Sequence, residues 1–170
     1  MKSRWIVALV VCAVAVAAYA GSVFATPSSG FTAVQQWKAV IGEIDLKTND
    51  VSGHQARIKT HGVSDVYITR NAIAARTDVT PGGQSGWHTH PGPSVVLVAE
   101  GEVTVYDPDA GCTATVYTKG EAFLDAGDGH AHLVRNETTA PAEVIAFQIV
   151  PKDATRRIDV TPAPDGNCPA

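Results

Sequence analysis

Two histidines separated by one residue, His88 and His90, and a third further along, His132, are the side chains with the strongest claim on chemistry. In an extended strand alternate side chains leave the same face, so His88 and His90 can aim both imidazoles at one point while Thr89 turns away. A third imidazole from the run Gly129-His130-Ala131-His132 would complete three corners of a tetrahedral metal site, or half of an octahedral one. Such a set leaves coordination positions free for water or substrate. Imidazoles alone do not choose the ion, so one divalent Zn, Fe, Mn, Ni or Cu is expected without preference. Additional contributors to ligation or to the pocket are Ser94, His130 and Gln84. His130 would share the face of His132 only if a strand has already begun there, and Gly129 argues for a loop and a rim position. Trp87 reads as core packing, and His54 and His61, in polar surroundings, read as surface residues.

The elements that must position these residues are short and extended. Pro91-Gly92-Pro93 interrupts the histidine strand because neither proline can donate to a ladder, and the β-branched run 94–98 resumes it. A turn at Glu100-Gly101-Glu102 leads to 103–106, and segments 114–118 and 121–124 flank Lys119-Gly120 as another expected hairpin. Segments 132–136 and 142–150 supply closing strands. Upstream, Phe31, Val34 and Trp37 fall at helical spacing and predict a short helix over 31–38. An edge strand over 41–46 and strands over 66–69 and 73–79 follow. Many short strands punctuated by Gly and Pro predict an all-β barrel or double-sheet roll.

The spacing of these segments resembles the cupin superfamily. Its first motif runs glycine, five residues, His-x-His, three or four residues, glutamate, six residues, glycine. Gly82, His88, His90 and Gly101 match it, with Ser94 where glutamate is usual. The second motif is met by Gly120, Gly129, His132 and Asn136, with one extra residue after Gly120 and Gly127 in place of a proline. The resemblance implies a cupin double-stranded β-helix, a single jelly-roll barrel with a short N-terminal helix or arm. It also implies that His88, His90 and His132 ligate the metal, that a small molecule occupies the cavity, and that the barrel can pair as a homodimer. A hydroxyl at residue 94 in place of a carboxylate would leave a divalent site at net +2 rather than +1, a stronger Lewis acid.

The N-terminus has its own signature. A basic start, Met1-Lys2-Ser3-Arg4, precedes an almost wholly apolar run over 5–20, short for a bilayer span and suited to a signal-peptide core with cleavage after Ala25. Processing would remove Lys2 and Arg4 and no acid, leaving 11 basic residues against 17 acidic ones. An acidic balance without a basic stripe argues against nucleic-acid partners and against docking on anionic membranes. No stable membrane span would remain after processing. The expected organisation is a signal peptide over 1–25, a flexible segment over 26–35, the barrel over 36–152 and a tail over 153–170. In an oxidising compartment Cys112 and Cys168 form one disulfide that tethers this tail.

Three functions fit. The first is an exported metal-dependent enzyme of dioxygenase or lyase type acting on a small organic molecule. The second is a module that binds a small ligand or metal without catalysis, and the third is a scaffold whose missing glutamate marks lost activity.

Overall fold

The computed structural model describes residues 27–49, 53, 55–161, 163–164 and 168–169. The expected signal peptide and His54 lie outside the described residues. The strands are β1 (Phe31–Ile41), β2 (Asp45–Asn49), β3 (Gln55–Lys59), β4 (Ser64–Ile73), β5 (His88–Thr89), β6 (Ser94–Glu100), β7 (Glu102–Tyr106), β8 (Thr115–Thr118), β9 (Ala122–Asp125), β10 (Leu133–Arg135), β11 (Ala142–Pro151) and β12 (Ile158–Asp159). A five-stranded sheet in the order β1-β4-β11-β6-β9 and a three-stranded sheet in the order β10-β7-β8 form the body, with two-stranded ribbons β12-β5 and β2-β3 beside them. Every pairing is antiparallel. This is the jelly-roll arrangement expected for an all-β cupin.

Period-two alternation builds the walls. In β6, Ser94, Val96 and Val98 are buried while Val95 and Leu97 face out, and β11 buries Ala142, Val144, Ala146, Gln148 and Val150 on the same principle. The inward residues change character along the strands. Ile73, Val98, Val96, Phe123, Ala142 and Val144 form one continuous apolar cluster. Beyond it the same faces carry Ser94, Asp125, Gln148 and Thr69, also buried. One end of the interior is therefore a hydrophobic core and the other a buried polar band.

The expected hairpins turn out to be corners. β6 pairs with β9 and β7 pairs with β8, so the strands flanking each turn, β6 and β7 at one and β8 and β9 at the other, belong to different sheets. Gly101 sits at the first corner with φ +71°, and a Cβ there would come within 2.6 Å of the Pro141 carbonyl, so only glycine fits. The second corner is closed by Glu121, whose carboxylate accepts from the Thr118 backbone N–H at 2.7 Å and from its hydroxyl at 3.0 Å. Alternation and a turn glycine look the same in sequence for a hairpin and for a corner; pairing partners decide which forms.

Three other expectations are corrected. Residues 31–38 form strand rather than helix, because β1 pairs with β4 along its whole length. A register shift between Gln35 and Trp37 leaves Gln36 unpaired, which puts Val34 and Trp37 on one face although they lie three apart. The spacing that imitated a helix is a bulged strand. Residues 74–79 do not extend β4, since the Thr77 hydroxyl accepts from the backbone N–H groups of Val79 and Thr80 and holds the chain in a turn. An edge strand over 41–46 does not form: β1 ends at Ile41 and β2 starts at Asp45, the Ile44 N–H going to the Thr60 hydroxyl at 2.9 Å.

The described residues of the C-terminal tail pack on the barrel. Its strand β12 pairs with β5, Cys112 and Cys168 are joined in a disulfide with Cα atoms 5.0 Å apart, and the Trp87 indole donates to the Pro169 carbonyl at 3.0 Å. Trp87, Cys112 and Leu133 form a second small core with Val160, Ala163 and Cys168 packed on it.

Candidate metal centre

The two histidine segments meet directly. The His88 N–H donates to the His132 carbonyl at 3.1 Å and the His132 N–H to the His88 carbonyl at 2.9 Å, an isolated bridge between β5 and the residue before β10. The glycine that opens the first segment clamps the end of the second. A Cβ on Gly82 would lie 1.6 Å from the Asn136 carbonyl oxygen, so the two chains approach at a distance open only to glycine. His88, His90 and His132 are all buried, and one ligand atom from each lies within 4.8 Å of the others. Their ring centroids are 4.3 Å apart for His88–His132, 4.9 Å for His88–His90 and 5.5 Å for His90–His132.

Hydrogen bonding orients two of these rings for ligation. His88 Nδ1 lies 2.8 Å from the Gly86 carbonyl, and His90 Nδ1 lies 2.7 Å from the Arg156 carbonyl. A carbonyl only accepts, so each Nδ1 carries the proton and each Nε2 is left with a free lone pair. Burial, reinforced by the neighbouring His132, holds His88 well below the ordinary histidine range. Burial also lowers His90, and brings His132 down to about 4. All three are neutral near pH 7 and need lose no proton to bind a cation. His132 Nδ1 and Asp125 Oδ2 are buried and have no hydrogen-bond partner. Two oriented imidazoles, a third ring alongside and unpartnered polar atoms fit a divalent metal.

The cavity they face has a volume of about 70 Å³, with Val96, Phe123 and Val144 on its apolar side and Ser94, Asp125, Gln148, Arg156 and Arg157 among its polar lining. The remaining candidates fall differently. Ser94 faces the cavity, but its hydroxyl accepts from the Gln148 amide at 2.9 Å, and Gln148 accepts from Arg156 at 2.7 Å. Gln84 does not line this cavity; its side chain accepts from Arg135 at 2.7 Å and its backbone pairs with Ser29. His130 is not in the group of His88, His90 and His132, because strand structure has not begun at Gly129-His130, but with Asp125 and His132 it forms a second group whose ligand atoms lie within 4.8 Å of one another. Its Nε2 is 3.2 Å from Asp107 and its Nδ1 is 3.8 Å from Asp125. Trp87 is fully buried and His61 exposed.

Sequence reasoning missed Asp125, Arg156 and Arg157. Asp125 had a signal: it alternates with buried Phe123 in β9, so a carboxylate stands at an inward position of a barrel strand. The arginines had none, since they lie past β11 in a stretch without periodicity.

The Cupin_2 family model, described as a cupin domain, matches residues 75–148. Among solved structures, the polyketide cyclase RemF from Streptomyces resistomycificus is 18% identical, with 84% of each chain covered and a TM-score of 0.48. A cupin domain from Bordetella pertussis is 19% identical over 74% of this chain and 97% of its own, with a TM-score of 0.45. An oxalate oxidase is 24% identical over 56% of this chain and 46% of its own, with a TM-score of 0.45. No curated protein matches. The residues matched by the family model contain both histidine segments and the strands that hold them, so over 75–148 the chain is similar to cupin domains.

Proposed function

We propose that this is an exported cupin enzyme that holds one divalent metal ion on His88, His90 and His132 and acts on a small organic molecule, as an oxygenase or a lyase. The observation that carries it is the pair of Nδ1–carbonyl bonds, which leave the Nε2 lone pairs of His88 and His90 free within a buried group of three histidines. A bound metal would supply Lewis acidity, and with iron a site for oxygen chemistry. The protein's part is to fix the ligands, keep them neutral and limit what enters. At about 70 Å³ the cavity is far smaller than the roughly 300–1,000 Å³ of drug-sized sites. Arg156 and Arg157 in its lining favour an anionic or oxygen-rich molecule of a few heavy atoms. Export is supported by the Cys112–Cys168 disulfide, which oxidising compartments permit.

The test is metal analysis of protein purified without chelators, alongside a His88→Ala/His132→Ala variant. The wild type is expected to carry one metal per chain and the variant none; stoichiometric metal in the variant would mean other ligands. Oxygen uptake and product formation across small carboxylates, diketones and thiols then read the chemistry. A second reading, a module that holds a small anion without turning it over, is favoured by the same arginine lining. Tight binding with no product across the panel would select it.

A further inference from the structure

We propose that Asp125 supplies the carboxylate ligand missing at residue 94, making the centre three histidines and one carboxylate with the acid delivered from the neighbouring strand. The inference rests on the three-histidine reading above. Ser94 and Asp125 are direct partners in the β6–β9 ladder. Facing residues of an antiparallel pair share a side of the sheet with Cβ atoms about 4.5–5.5 Å apart, so a carboxylate on β9 reaches nearly the same space as one on β6. Both side chains point inward and are buried.

Ser94 is occupied by Gln148, whereas half of the Asp125 carboxylate is free. Its Oδ1 accepts from the Gly127 N–H at 3.0 Å, which fixes the rotation of the group. Its Oδ2 is buried with no hydrogen-bond partner and lies 3.8 Å from His90 Nε2. Its Oδ1 is 3.7 Å from His132 Nδ1. These separations are too long for hydrogen bonds. Two ligand atoms bonded at about 2.0–2.1 Å to one tetrahedral cation stand roughly 3.3–3.4 Å apart, close to what is found. A buried carboxylate oxygen without a partner is costly, and a cation between it and the imidazoles would offset that cost. Ligation by Asp125 also brings the net charge of a divalent centre to +1, against the +2 expected from Ser94.

The experiment is equilibrium titration with Zn²⁺ and Co²⁺ of wild type, Asp125→Asn, Asp125→Asn/Ser94→Glu and His88→Ala/His132→Ala, each checked for folding by thermal unfolding in excess chelator. Asp125→Asn should weaken binding by at least the roughly 10–100-fold seen when even an outer partner is removed. Restoring a carboxylate through Ser94→Glu should recover most of the loss. Asp125→Cys separates ligation from mere orientation of His132, because only a directly bound thiolate gives Co²⁺ a sulfur charge-transfer band in the near ultraviolet. Wild-type affinity in Asp125→Asn with no such band in Asp125→Cys, while the double-histidine variant binds weakly, would overturn this inference alone. A wild type that takes up no metal would overturn the three-histidine reading and this inference with it.

Discussion

What separates His88 and His90 from an exposed histidine such as His61 is the partner of Nδ1. A backbone carbonyl on each fixes the tautomer and the ring angle before any ion arrives, so binding does not have to order the ligands. The rings are also dry, which has a cost without metal. In the unfolded chain these histidines protonate near pH 6.5, whereas in the folded protein burial holds His132 at about 4 and His88 well below its ordinary value. Between those limits the unfolded state binds more protons, so stability is full above about pH 6.5 and falls as the pH drops toward 4. His132 alone should cost the metal-free protein about 2 kcal/mol of unfolding free energy between pH 7 and pH 4.5, and His88 shifts the profile in the same direction. Urea midpoints across that range measure it, and a flat profile would mean the rings are solvated.

The tail is the element with the largest consequence for the site. It closes over β5 through β12, and its Arg156 carbonyl is the group that holds His90 Nδ1. It is secured at its far end by a disulfide spanning 56 residues of sequence, a closure that chain entropy values at about 4 kcal/mol. Cys168→Ser should therefore lower stability by roughly 2–4 kcal/mol in denaturant titrations. It should also weaken metal binding by about 10-fold, because a loosened tail no longer fixes His90. Unchanged metal affinity in a less stable variant would place the orienting contact elsewhere. The sheet corners matter in a different way. By sending β6 and β7 to opposite sheets, the Gly101 corner encloses the interior, whereas a hairpin would have left those strands side by side in one layer.

At the scale of the molecule, the barrel interior is graded from hydrocarbon to buried polar groups, and the histidines stand at the polar end. The Cys112–Cys168 disulfide is compatible with the proposed export, since disulfides persist where thiols are not kept reduced. Protein recovered from outside the cytoplasm should begin at Thr26, as N-terminal sequencing or intact mass would show; a retained Met1 would refute cleavage. The all-β class, the cupin motifs and the proximity of His88 to His90 followed from local rules, because alternation, turn glycines and a two-residue spacing are properties of contiguous chain. The same rules misread residues 31–38, where a bulge imitated helical spacing, and read corners as hairpins, because both depend on distant partners. Nor could they find Asp125 beside His90 or the Arg156 carbonyl on its ring. Those contacts exist only once β6 lies against β9 and the tail lies against β5, and strand pairing across long stretches of chain is set by the packing of the whole barrel.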